Sequence, residues 1–334
     1  MVNLGIIGTT TWGTTLAILN SHKPHEVTLF TRTKKESNDL SRQRSNASRT
    51  PDSKFPEKLH IDHMGSSKLY DSEILILAVP SESFRENLRK ISHNINEKTI
   101  IISASKGLEI QSGKRMSEII FDELPNITEN QICALSGPNL AGEILSGLPS
   151  SSVIACKNIK TAEYIQNILN SSLFRVYTND DLIGVEIAGA FKNVIAIAAG
   201  ISDGLKLGDN AKSAIITRGL AEMARLGKTL GARQSTFAGL SGMGDLIATC
   251  SSNMSRNYRA GEMLAKGIST PEITSNSKNV IEGIVTTKSI MDISQSQNVE
   301  LPLAASVFEI LFNNMSPLEG VKSLMQREQT SEIY

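Results

Sequence analysis

Lys192 has unusual neighbours. It lies inside GVEIAGAFKNVIAIAAGI, residues 184–201, and on a helix its partners at three and four residues are Ala188, Gly189, Ile195 and Ala196. That face is small and apolar, so it packs against something or leaves room for a ligand. An unpaired buried ammonium costs several kcal/mol, so it needs a carboxylate or an anionic ligand beside it. Burial weakens its hold on a proton and a carboxylate strengthens it again, which is how a lysine becomes a proton donor and acceptor near neutral pH. Gly239-Leu240-Ser241-Gly242-Met243-Gly244-Asp245 offers the carboxylate: three glycines surround Asp245, and an apolar run follows. Ser251-Ser252-Asn253-Met254-Ser255-Arg256-Asn257 comes next. Either Asn253 or Ser255 caps the helix that follows. Its first N–H groups, Ser255, Asn257 and the guanidinium fork of Arg256 together suit a phosphate.

A second constellation lies upstream. Gly8-Thr9-Thr10-Thr11-Trp12-Gly13 follows an apolar run and opens a helical pattern, the context of a dinucleotide-binding loop. Gly8 makes the turn and Gly13 lets helix and strand pack, but Thr10 stands where a second glycine lets the backbone approach a pyrophosphate. Its side chain either clashes there or donates its hydroxyl to a phosphate oxygen. The second strand ends Phe30-Thr31-Arg32 with no acid at its tip. Arg32 suits a 2′-phosphate, so NADPH is favoured over NADH. Lys106, in SASKG, and Gly137 and Asn139, in SGPN, each follow a further strand pattern and are carried to the same sheet edge.

The elements that position these residues follow from periodicity. Short apolar runs at 4–7, 27–30, 74–79, 100–103, 132–135 and 151–155 predict buried strands. Helical patterns at 14–20, 83–91, 112–123 and 161–170 lie between or after them. This is the pattern of a doubly wound α/β domain. From Asp181 onward helices dominate, the first capped by Asp180 or Asp181 and stopping at Gly200. The fold class is α/β: a Rossmann-type sheet over residues 1–178, then an all-helical domain over 179–334. Residues 37–53 read as a polar surface loop or frayed helix, and Gln326 onward as a loose tail.

Composition excludes several classes. Basic and acidic residues balance at 34 each, which removes a broad electrostatic case for nucleic acid or an anionic membrane. Three cysteines without CxxC spacing argue against a disulfide framework or zinc cluster and fit a reducing cytoplasm. No HExxH or HxxxH spacing supports a metal, and no signal peptide is read. The longest apolar stretch carries Lys192 and Asn193 at its centre, against a membrane span.

Taken together, GTTTWGTTLA, VTLFTR, ILAVPS, SKGLE, SGPNLAGE, the Lys192 helix, NAKSAIITRGLAEM, GLSGMGDLIATCSSNMSRN and VIEG resemble, in this order, the bacterial NAD(P)-dependent glycerol-3-phosphate dehydrogenases. The resemblance implies reversible hydride transfer between dihydroxyacetone phosphate and sn-glycerol 3-phosphate, feeding phospholipid synthesis, in a cytoplasmic homodimer. Lys192 falls on the family's proton donor and acceptor. Lys106, Gly137, Asn139, Asp245, Ser255, Arg256 and Asn257 fall on substrate contacts. Thr11, Trp12, Arg32, Lys106, Ala141, Arg256, Val280 and Glu282 fall on cofactor contacts. Thr10 departs from the family's loop, and Asn139 stands where Ser or Thr is common. Two rival readings are a related hydroxy-acid dehydrogenase and a non-catalytic dinucleotide-binding protein.

Overall fold

The structure, a computed structural model, describes residues 1–277, 280–329 and 331–332. Its first half is an eight-stranded sheet built from β1 (Asn3–Ile7), β2 (Glu26–Thr31), β3 (Leu59–His63), β4 (Ile74–Leu77), β5 (Ile100–Ser103), β6 (Ile132–Ser136), β7 (Ser150–Cys156) and β8 (Phe174–Asn179). The spatial order is β3-β2-β1-β4-β5-β6-β7-β8, parallel throughout except where β7 runs against β6. The chain winds outward from β1 to β3, then returns to the other side of β1 for β4. That reversal opens a crevice at the carboxyl ends of β1 and β4, where doubly wound sheets take their ligands.

The central strands are buried on both faces, so alternate residues feed two cores. Leu4, Ile6, Leu29, Ile76 and Ile102 pack on one side, and Ile7, Phe30, Leu75, Leu77 and Ile101 on the other. Such strands read as continuous apolar runs, and all of those the sequence predicts are present. β3 and β8 are edges of the sheet and were not expected. LHIDH is half polar, and FRVYTN buries Phe174 and Val176 while leaving Arg175 and Tyr177 exposed.

The helical half begins at Leu182–Gly204, capped by Asp181, whose carboxylate accepts the Gly184 N–H at 2.9 Å. Among the described residues this is the one helix long and apolar enough to cross a membrane, and 89% of its apolar window is buried inside the fold. It does not stop at Gly200. The helix Arg256–Ala265 crosses it there, so closely that a Cβ on Gly200 would lie 1.9 Å from the Tyr258 carbonyl oxygen. Gly200 is therefore a packing contact that brings the start of the helix Arg256–Ala265 against the Lys192 helix, where Asn257 meets Asn193.

Residues 37–53 are also more ordered than their composition suggests. Lys34–Gln43 is helical, and the turn that follows is tied down by Asn46, whose Nδ2 donates to Thr9 O at 3.0 Å and to Thr14 Oγ1 at 2.9 Å. The segment is strapped across the dinucleotide loop.

Candidate active site

Lys192 sits mid-helix and is 7% exposed. Its Nζ donates to Asp245 Oδ1 at 2.5 Å and to Thr249 Oγ1 at 2.8 Å. Asp245 opens the helix Asp245–Ser251 directly after a π turn over Leu240–Gly244, and Gly239 before that turn with Gly242 and Gly244 in it let the backbone fold tightly into the core. Thr249 lies one turn further along the same face, and its own hydroxyl donates to Asp245 O at 2.6 Å. Lys106, just beyond β5, donates to the second carboxylate oxygen, Asp245 Oδ2, at 2.6 Å and to Gly137 O at 2.9 Å. One carboxylate, 2% exposed, thus holds two ammonium groups, one on each oxygen. Burial pulls Lys192 down to about 8, the Asp245 charge pushes back, and the Lys106 charge adds to the lowering. The centre carries one positive charge in excess, a setting for an oxygen that gains negative charge.

The wall beside this centre comes from the helix Arg256–Ala265. Ser255, not Asn253, is its N-cap and accepts the Tyr258 N–H at 3.2 Å. Arg256 is exposed, and its Nη1 donates to Val280 O at 2.8 Å. Asn257 is committed inside the protein: its Nδ2 donates to Asn193 Oδ1 at 2.8 Å, and its Oδ1 accepts the Gly283 N–H at 2.9 Å. Asn139 is committed likewise, its Nδ2 donating to Ser150 Oγ and Ser151 O and its Oδ1 accepting from Ser152 Oγ. Gly137 follows β6 with φ +149°, and Ala141 starts the short helix Ala141–Leu145 nearby. Glu282 reaches across to the turn that follows β4. Its carboxylate accepts from the Ser81 N–H at 3.2 Å and from the Ser81 hydroxyl, and burial raises its pKa.

The loop fits the pyrophosphate of a dinucleotide. Gly8 has φ +110°, and a Cβ there would meet Ala78 O at 2.7 Å; on Gly13 it would lie 2.0 Å from Gly8 O. Side chains at either position would fill the cradle. The backbone at Thr10 is extended, with φ −65°, a conformation any residue adopts. It is the N-cap of the helix Thr11–Ser21: Oγ1 accepts the Gly13 N–H at 3.0 Å and donates to Ala78 O at 2.7 Å. The hydroxyl hydrogen that the sequence offered to a phosphate therefore goes to β4's continuation. The Thr11 and Trp12 N–H groups have no acceptor within their helix, and its first turn holds no acid.

Arg32 is exposed just beyond β2, as expected. The expectation of no acid at that tip is corrected: the helix Lys34–Gln43 folds Glu36 back onto it. Glu36 Oε1 accepts from Thr9 Oγ1 at 2.6 Å and Oε2 accepts from the Arg32 N–H at 3.2 Å. Sequence reasoning passed over Thr249, whose spacing of four from Asp245 was a signal; Ser81, at the end of ILAVPS, and Asn193, beside Lys192, stood in stretches it noted but were given no role.

Residues 3–162 match the family model for the N-terminus of NAD-dependent glycerol-3-phosphate dehydrogenase, and residues 181–322 match the model for its C-terminus. The chain belongs to the NAD-dependent glycerol-3-phosphate dehydrogenase family. It is 46% identical to a glycerol-3-phosphate dehydrogenase [NAD(P)+] of Dehalococcoides mccartyi, with 100% of this chain and 93% of the relative covered. A Chlorobium phaeobacteroides enzyme of the same description is 43% identical over 100% of both chains. A crystal structure of glycerol-3-phosphate dehydrogenase from Coxiella burnetii superposes with a TM-score of 0.92 at 36% identity, covering 98% of this chain and 99% of that one. Membership makes this chain an NAD(P)-dependent oxidoreductase. The N-terminal model stops at residue 162, and the C-terminal model starts at residue 181, the cap of the Lys192 helix.

Proposed function

We propose that the chain reduces dihydroxyacetone phosphate to sn-glycerol 3-phosphate, and runs the reverse reaction, with Lys192 as proton donor and acceptor. The observation that carries this reading is the shared carboxylate: Asp245 holds Lys192 and Lys106 on its two oxygens while burial brings Lys192 to about 8. A lysine so poised is protonated enough to give a proton and neutral enough to take one back at physiological pH. NADH or NADPH, when bound along the dinucleotide path, would supply the hydride for the carbonyl carbon. Lys192 Nζ gives a proton to the carbonyl oxygen as negative charge grows there, and in the reverse direction neutral Lys192 accepts it from the alcohol. Lys106 adds positive charge on the same side. Asp245 and Thr249 fix the direction of Lys192 Nζ.

Arg256 and the first N–H groups of its helix grip the substrate phosphate, and that remote contact aligns the carbonyl. Asn257 and Asn139, both occupied by protein partners, act by holding the walls of the substrate site, with Gly137 and Ser255 beside them. Gly8, Thr10, Thr11, Trp12, Gly13, Arg32, Ala141, Val280 and Glu282 line the dinucleotide path. Residues 1–178 form the dinucleotide-binding domain and 179–334 the substrate and dimerisation domain. The enzyme works as a cytoplasmic homodimer that supplies glycerol 3-phosphate for phospholipid synthesis.

The test is oxidation of NADH and of NADPH in the presence of dihydroxyacetone phosphate, against a hydroxy-acid panel in reverse. Lys192→Met should bind the dinucleotide normally and lose most turnover. Near-normal turnover in that variant overturns the assignment.

A further inference from the structure

Glu36 is not explained by its helix alone. It stands three residues after the N-cap Thr33, whose Oγ1 accepts the Glu36 N–H at 3.1 Å. A glutamate at that position ordinarily reaches back to the N–H of the cap residue itself. Here the side chain bypasses Thr33. It spans from the Arg32 N–H, at the tip of β2, to the Thr9 hydroxyl, inside the glycine loop of β1. These two segments border the crevice in which a doubly wound sheet holds the adenosine ribose of a dinucleotide. Each carboxylate oxygen accepts one of these hydrogen bonds and keeps a further lone pair, and the residue is only half-buried. Two acceptor sites and a negative charge therefore face the place where NAD and NADP differ.

We infer that Glu36 is a specificity-determining residue of the cofactor site, accepting hydrogen bonds from the adenosine ribose hydroxyls and turning the enzyme toward NADH. The inference rests on the reading of this crevice as the dinucleotide site. A ribose hydroxyl donates to a carboxylate, whereas a 2′-phosphate brings a second negative charge against it. Arg32 attracts that phosphate from the exposed side of the same turn, so Glu36 offsets the feature that favours NADPH in the sequence. The acid sits in the first turn of the helix rather than at the strand tip, and only the fold returns it there.

The experiment measures dissociation constants of NADH and NADPH by quenching of Trp12, the chain's single tryptophan, with no substrate present. Wild-type protein should bind NADH more tightly than NADPH. Glu36→Gln keeps the size and a hydrogen-bonding end while removing the charge. It should tighten NADPH about tenfold, equivalent to about 1.4 kcal/mol, and leave NADH unchanged or weaker. Thr9→Val breaks the loop contact but keeps the carboxylate, and should move both constants by a similar factor. Equal changes for the two cofactors in Glu36→Gln, or none, overturn the inference and leave the dinucleotide site standing. Wild-type protein that binds neither cofactor overturns both.

Discussion

Replacing Asp245 by asparagine tests the centre directly. The carboxylate contacts Lys192 at 2.5 Å and Lys106 at 2.6 Å and is almost wholly buried, so its charge acts on both lysines with little solvent screening. With Lys192 at about 8, about three-quarters of it is protonated at pH 7.5. An opposite charge this close ordinarily moves a titration by about one to three pH units, so its loss should carry the alkaline limb of carbonyl reduction down by about two. At pH 7.5 the protonated fraction then falls to about 3%, a loss of about 25-fold from protonation alone. Removing one partner from a buried ion pair also costs about 3–5 kcal/mol of stability, readable as a lower denaturant midpoint. The assay is the pH profile of kcat for dihydroxyacetone phosphate reduction, taken where circular dichroism shows the variant folded. Lys106→Met supplies the opposite sign. It removes the like charge that lowers Lys192, so the alkaline limb should move up even as the rate falls. Limbs that stay in place in both variants refute the coupling of the two lysines through Asp245.

Other consequences are independent of that centre. Thr10→Gly loses the cap of the first helix and the bond to Ala78 O, and should cost about 1 kcal/mol in a denaturant melt. It should not tighten the dinucleotide; much tighter binding would show that Thr10 obstructs it. Arg256→Ala should raise KM for dihydroxyacetone phosphate about 10- to 100-fold, the worth of one or two charge-assisted hydrogen bonds, and an unchanged KM removes it from the phosphate grip. Glu222 accepts the Leu303 and Ala304 N–H groups that open the helix Pro302–Phe312, and burial pushes it up from 4.5 to about 7. Its folded value lies above the unfolded one. The resulting stability is therefore fully present below pH 4.5 and is lost as pH rises through about 7, a change of about 3 kcal/mol. Glu222→Gln should flatten that slope in denaturant melts from pH 4.5 to 7.5, and a slope equal to wild type refutes the role.

The central strands were legible because burial on both faces leaves an unbroken apolar run, and the Lys192 helix because Asp181 caps it where the texture changes. Lys192, Asp245 and Lys106 were legible as residue types in unusual settings. Their union was not: Asp245 lies 53 residues from one lysine and 139 from the other, and no local pattern encodes which oxygen faces which amine. Gly200 looked like a stop because glycine usually ends helices, whereas here its missing side chain admits another helix. Asn139 and Asn257 looked free to meet a substrate until their partners, on β7 and on the Lys192 helix, came into contact with them. Thr10 looked like a damaged loop until its φ and its bond to Ala78 were visible, and Glu36 looked like an ordinary first-turn acid until Thr9 stood beside it. Periodicity and caps act over a few residues and are written in the chain. Which polar groups satisfy one another across the crevice depends on distances that exist only once the sheet has wound and the helices have packed.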